Sequence, residues 1–211
     1  MRKLVYFDGT SNEDLGLVFL GGEIGDPEVR TMGVDVPYRD GILDLTDYYG
    51  NVRFKNRTIT LEFVVDPSVD REEAVEKAMR LNGKRVKLEV PNRPGEYFMA
   101  RLKVRKPKIT NSPRLDLTVT ADAEPYCYED ITIIRSFLAT GDVVCPNKEM
   151  ITSPTIVTDA AITAVFGTTT VTLAAGEHYV SAFRFTEGNN TITITPTSSA
   201  NLKILYTRGR Q

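Results

Sequence analysis

The 211 residues contain no tryptophan, two cysteines and a single histidine. Each scarcity excludes something. Without tryptophan, a sugar-binding surface would lack its preferred flat aromatic platform. Phe166, Tyr179, Phe183, Phe185 and Tyr206 could substitute, although each sits in an alternating strand and reads as core. Cys127, Cys145 and His178 cannot supply the four ligands of an ordinary zinc site, so neither a structural metal nor a cofactor is expected. The cysteines read as two reduced thiols in preference to a disulfide, since nothing points to secretion, although a bridge between them stays open. No apolar run approaches membrane-spanning length. The opening Met1 to Asp8 becomes charged before a signal-peptide core forms, and reads as the first strand of a protein made in the cytosol. An excess of one charge is missing too. With 26 basic and 28 acidic side chains, nothing draws the chain to nucleic acid by bulk electrostatics.

The usual signatures of catalysis are also missing. There is no Gly-x-Ser-x-Gly elbow. Gly21, Gly22 and Gly25 lack the lysine and the strand-to-helix context of a phosphate loop. Asp40, Asp44 and Asp47 are separated by Leu43 and Leu45 as a strand would separate them, without the closing glutamate of a calcium loop. They read as turn and edge carboxylates. His178, between Glu177 and Tyr179, reads as an exposed or loop histidine rather than a general base. An enzyme is not expected.

What is present changes character near residue 125. Residues 1–125 carry 20 basic and 21 acidic side chains, against 6 and 7 in residues 126–211. Threonine moves the other way, from 8 to 16. Such a shift predicts two domains made on different plans, 1–129 and 130–211.

The first part reads as strands with one helix. Leu15, Leu17 and Phe19 alternate with Val18 and Leu20 until Gly21-Gly22, which should end the segment. A helix is predicted over about 70–82. Asp70 and Glu73 form a capping box, and Ala74, Val75, Ala78, Met79 and Leu81 form its apolar stripe. Glu73–Lys77 and Glu76–Arg80 pair on the wet side, and Asn82-Gly83 stops it. Residues Arg85 to Val104 then read as a two-stranded ribbon, charged on one face, with a rigid exposed tip at Pro91–Glu96. The second part reads as short strands throughout, at 156–157, 161–166, 170–173, 179–185, 191–195 and 202–206. This spacing predicts an antiparallel β-sandwich whose core takes Phe166, Tyr179, Phe183, Phe185 and Tyr206.

The most specific stretch runs from Val34 to Thr46 and continues through Asn56 to Phe63. Pro37 fixes its own φ and holds Val36 extended, and Asp40-Gly41 is a strong turn signal. Ile59, Leu61 and Phe63 then alternate with Thr58, Thr60 and Glu62. This series resembles the distal tail protein family of long-tailed, non-contractile bacteriophages and prophages. Val34, Val36, Pro37, Arg39, Asp40, Gly41, Leu43 and Asp44 fall on the family's V-x-V-P-G-R-D-G-x-L-D-L-T run, with Leu45 and Thr46 closing it. Tyr48, Tyr49 and Gly50 follow, then Asn56 and Arg57 open its N-R-x-I-x-F-x-F strand. Tyr38 stands where the family usually has glycine. Later landmarks, Asn82-Gly-Lys84, Tyr97–Val104 and Glu124–Tyr128, keep the family's order, and the resemblance spans most of residues 1–129. The closing Gly188–Thr195 and Ile204–Gly209 resemble the end of many such proteins.

The resemblance implies a mainly β fold with one α-helix: a barrel-like or sandwich-like N-terminal ring domain and a galectin-like C-terminal β-sandwich. It implies a structural hub in the virion, at the distal end of the tail, made in the bacterial cytoplasm. Six copies would close into a ring joining the tail tube to the tail-tip protein, with receptor-binding proteins attached outside. DNA would pass through the channel without specific binding. The ribbon residues Arg85, Lys87, Asn92, Arg93, Pro94, Gly95, Arg101 and Lys103 are the expected inter-subunit hairpin, because a ribbon of that length should leave backbone edges for a neighbour to cover. The alternative function is a host-surface adhesin that binds carbohydrate through the C-terminal sandwich.

Overall fold

A computed structural model describes residues 3–48, 50, 52–105 and 114–211. The chain folds as two compact units, Met1–Pro125 and Tyr126–Arg210.

In the first unit the strands are β1 (Tyr6–Phe7), β2 (Thr10–Ser11), β3 (Leu17–Ile24), β4 (Gly33–Asp35), β5 (Ile42–Asp44) and β6 (Arg57–Val65). After the helix α1 (Arg71–Met79) come β7 (Arg85–Glu89), β8 (Phe98–Val104) and β9 (Asp116–Ala123). Seven of these form one antiparallel sheet in the order β2-β1-β7-β8-β9-β6-β3, and β4 and β5 pair as a separate ribbon. Alternation decides which faces go inward. Ile59, Leu61, Phe63 and Val65 of β6 are buried, as are Phe98, Ala100, Leu102 and Val104 of β8 and Leu117, Val119, Ala121 and Ala123 of β9. β1 and β6 stand four places apart in the sheet, which would separate them by about 19 Å if it were flat. The Phe7 and Phe63 ring centroids are nevertheless 6.2 Å apart. The sheet therefore rolls over its own core, and the unit is barrel-like.

The helix is shorter than the sequence suggests. Asp70 caps it by accepting a hydrogen bond from the Glu73 amide at 2.9 Å, and Ala74 and Ala78 are its buried residues. Glu73–Lys77 and Glu76–Arg80 both pair at 2.8 Å. Beyond Met79 the chain tightens into turns that end at Gly83, where φ is +81°.

Two expectations for this unit need correction. Gly21-Gly22 does not end β3, which continues to Ile24 with a bulge between Phe19 and Gly21. A Cβ at Gly22 would lie 2.7 Å from the Thr60 carbonyl oxygen, so the glycine lets β3 press against β6. The Arg85–Val104 ribbon does not leave free edges either. β7 pairs with β1 on its outer side, and β8 pairs with β9. The ribbon is interior to the sheet because neighbouring strands already use its backbone groups.

The second unit contains β10 (Cys127–Phe137), β11 (Gly141–Asn147), β12 (Thr155–Thr158), β13 (Ile162–Phe166), β14 (Thr169–Leu173), β15 (Gly176–Tyr179), β16 (Gly188–Pro196) and β17 (Ala200–Arg210). They make two four-stranded sheets, β10-β17-β12-β15 and β11-β16-β13-β14. Val143, Ile162, Ala164, Ile192 and Ile194 from one sheet meet Ile156, Leu202, Ile204 and Tyr206 from the other in a single core. This is an antiparallel β-sandwich. Phe185 sits edge-on to Tyr206, with centroids 5.2 Å apart and an interplanar angle of 88°.

Here too the details differ from the sequence reading. β10 and β11 were not expected, and β10 begins at Cys127, upstream of residue 130. The segment 179–185 is not one strand. β15 ends at Tyr179, and the Phe183 amide then donates to the Val180 carbonyl in a tight turn that drives Val180, Phe183 and Phe185 into the core. Tyr179 itself is 69% exposed and is not core. Cys127 and Cys145 are both buried and unbridged, and burial pushes the Cys145 thiol up to about 12.

Candidate functional site

The motif residues lie on an arm that leaves the barrel between β3 and β6. Its two strands run antiparallel beyond the sheet. Lys55 donates from its amide to the Glu28 carbonyl at 2.8 Å, Arg30 to Arg53 at 2.7 Å, and Leu45 to Met32 at 2.7 Å. Farther out, β4 and β5 pair Val34 with Leu43 and Gly33 with Asp44. A Cβ at Gly33 would strike the Ile42 side chain at 2.5 Å, so glycine is what admits Ile42 there. The tip is a turn closed by the Arg39 amide donating to the Val36 carbonyl at 3.2 Å. Pro37 and Tyr38 occupy its centre, and Tyr38 has φ +64°. Gly41, at φ +79°, completes the reversal with Asp40 beside it.

Asp44 helps to hold the inner end of the turn. Its carboxylate accepts hydrogen bonds from the Thr46 hydroxyl and then the Thr46 amide, which keep it below its ordinary value. The Thr46 hydroxyl in turn accepts from the Met32 amide at 3.2 Å. Asp40 and Asp47 lie in turns and Asp44 ends β5, and among the described residues no group of His, Cys, Asp or Glu is placed to hold a metal ion.

Asn56 and Arg57 sit at the root of the arm. Asn56 is exposed. Arg57 is buried, donates to the Pro125 carbonyl and lies 5.6 Å from the centroid of the Phe98 ring. Its role is architectural: it ties the end of the first unit's chain to the start of β6. Tyr49 of the motif lies outside the described residues.

The arm carries an unusual load. Seven of the thirteen exposed large hydrophobic side chains among the described residues lie on it: Val29, Met32, Val34, Tyr38, Ile42, Tyr48 and Val52. A two-stranded ribbon has no second layer to cover such residues and is marginal in water by itself. By the β4–β5 register Val34 and Ile42 lie on opposite faces, so both faces of the ribbon carry exposed apolar side chains. Apolar residues flanking the Pro37 turn were the available signal in the sequence, but their alternation resembles that of an ordinary half-buried strand.

The expected hairpin residues are not gathered into such a surface. Arg85 pairs with Glu124, and the Lys87 ammonium lies 3.7 Å from the Tyr97 ring centroid. Arg101 donates to the Gly83 carbonyl at 2.7 Å, and Lys103 is exposed. At the tip, Asn92, Pro94 and Gly95 are exposed, but Arg93 turns back over Phe98 at 5.8 Å and Glu96 is buried. The tip folds onto its own unit rather than standing free.

No family model matches the sequence, and no curated protein matches it. Structure is more informative. The Dit protein of phage SPP1, the hub of an adsorption apparatus in phages infecting Gram-positive bacteria, superimposes with a TM-score of 0.64 at 11% identity. The match covers 100% of this chain and 100% of that one. The fold here is a Dit fold. A chain of the phage P2 baseplate in its activated conformation is also similar, at a TM-score of 0.47 and 9% identity over 99% of this chain and 98% of that one.

On the sandwich, exposed Tyr179 borders a shallow groove lined by Asp130, Thr132, Thr152, Ser153, Thr155 and Thr207. His178, beside it in β15, is half-buried, with its Nε2 2.9 Å from the Ala174 carbonyl oxygen. That contact gives the ring a structural role.

Proposed function

We propose that this protein is the hub at the distal end of a long, non-contractile phage tail. Six copies close into a ring that joins the tail tube to the tail-tip protein, and the second units carry receptor-binding proteins. The observation that carries this reading is the apolar arm, on a chain whose fold matches a known adsorption-apparatus hub along its full length. A hub works through geometry. A projecting arm on one copy and a receiving surface on the next make a heterologous contact, and such contacts close into rings when the rotation permits. Near-balanced charge suits a channel that DNA must traverse without being held by its phosphates.

Mass measurement by light scattering tests the ring, first alone and then with the tube and tip proteins present. A hexamer in either setting supports it. A protein that stays monomeric in both overturns it.

The second reading, carbohydrate binding by the sandwich, rests on Tyr179 and the hydroxyl-rich groove beside it. Glycan-array binding that is lost in Tyr179→Ala would favour it over a purely structural role.

A further inference from the structure

Tyr38 violates two local rules. It occupies the third position of a proline turn at φ +64°, a conformation that favours glycine, and its aromatic ring is fully exposed. Strain at a bulky residue persists where something compensates for it, and such residues cluster at binding and switch regions. Among the described residues nothing covers the ring.

A complementary feature lies at the other end of the same arm. A cleft of about 240 Å³ opens beside β3, lined by Lys3, Phe19, Ile24, Leu61, Val90 and Pro91. Gly21 and Gly22 contribute only backbone to it, which leaves its mouth open. It is smaller than the ~300–1,000 Å³ of ordinary small-molecule pockets, and its size suits one side chain. Ile24, the last residue of β3, is the root of the arm. Tyr38 lies fourteen residues farther out, up to about 45 Å away if the strand is extended. The arm's strands pair with each other along the way, and Tyr38 is fully exposed instead of seated in its own chain's cleft. Anchor and cleft are thus both left open on each copy, as a head-to-tail contact requires. The tip is weakly acidic, with Asp35 and Asp40 against Arg39, and Lys3 rims the cleft.

We propose that Tyr38 of one copy seats in the cleft between β3 and the Val90–Pro91 turn of the next copy, as the aromatic anchor of the ring contact. This rests on the ring reading above and names its contact. Buried aromatic anchors in fitted pockets carry a disproportionate share of interface energy.

The test compares wild type with Tyr38→Gly, Tyr38→Phe and Gly21→Leu, by light scattering against concentration and by melting of the dilute monomer. Tyr38→Gly relieves the positive-φ strain, so its dilute melt should equal or exceed that of wild type. Its assembly should nevertheless need at least about ten-fold more protein. Tyr38→Phe should assemble like wild type. Gly21→Leu, which fills the cleft from a position with open space around its Cβ, should weaken assembly as Tyr38→Gly does. A Tyr38→Cys, Asn92→Cys double variant should form disulfides between copies on oxidation, since Cys127 and Cys145 are buried. If wild type assembles only with the tube and tip proteins, the variants are compared in that mixture. Rings that form equally well in Tyr38→Gly and Gly21→Leu would overturn this contact and leave the ring standing. Rings that form normally but no longer engage the tube or tip protein would assign Tyr38 to that partner instead. A wild type that forms no ring in any mixture overturns both.

Discussion

The Asn12 side chain ties the two outer strands of the seven-stranded sheet together by donating from Nδ2 to the Leu17 carbonyl at 2.6 Å. Asn12 follows β2, one outer strand, and Leu17 opens β3, the other. The same side chain accepts from the Val5 amide through Oδ1 at 2.9 Å, and it is almost wholly buried. One amide therefore closes one end of the barrel's seam. Asn12→Leu strands two buried backbone groups and should cost about 2–6 kcal/mol, at about 1–3 kcal/mol for each unsatisfied group. Denaturant unfolding of the full chain checks this, and a change below about 0.5 kcal/mol would show that water replaces the amide.

Gly22 faces a different constraint. A Cβ there would lie 2.7 Å from the Thr60 carbonyl oxygen and 2.8 Å from the Leu61 Cδ2. Gly22→Ala should therefore separate β3 from β6 and cost about 1–3 kcal/mol, the range for overpacking. Gly21→Ala, with open space at its Cβ, serves as the control. Equal melting temperatures for the two variants would refute the close approach.

In the second unit, Glu129 receives Lys148 and Arg208, both at 2.9 Å. Burial works to raise its pKa, but the hydrogen bonds and charges of the two cations outweigh it and hold the carboxyl below its ordinary 4.5. A depressed folded-state pKa gives stability that is present above the unfolded value and is lost as pH falls through the folded one. The second unit should lose melting temperature below about pH 4.5, and Glu129→Gln should flatten that acid limb while lowering stability at neutral pH. An unchanged acid limb in the variant would exclude this cluster as its source.

The second unit should fold alone, provided that its first strand is kept whole. Residues 126–211 should give a β-rich monomer by circular dichroism and light scattering. A fragment starting at residue 130 removes Cys127 and Glu129 from β10 and should melt lower. An unfolded 126–211 fragment would mean that the sandwich depends on the first unit.

Much of this architecture was legible along the chain. Asp70, Glu73 and the alanines at 74 and 78 announce the helix, because capping and a 3.6-residue period are local properties. The alternation of β6, β8 and β9 is equally plain. The end of β3 was misread because two glycines usually stop a strand, whereas here they let a neighbouring strand approach. Tyr179 was misplaced because alternation does not reveal where β15 ends and the Val180–Phe183 turn begins.

The arm marks the division most clearly. Pro37, Asp40 and Gly41 determine by themselves that the chain reverses there, since backbone sterics restrict the turn whatever surrounds it. Sequence likewise determined that the molecule is mainly β with one helix, through strand alternation and through the capping and 3.6-residue period of the helix. Only the tertiary structure decided which ribbon has free surface. Arg85–Val104 and the arm are both alternating strand pairs, but β1 and β9 occupy the flanks of the first and nothing within the described residues flanks β4 and β5. Pairing is a long-range choice, made by which strand arrives beside which. It leaves no mark on the local pattern of either ribbon.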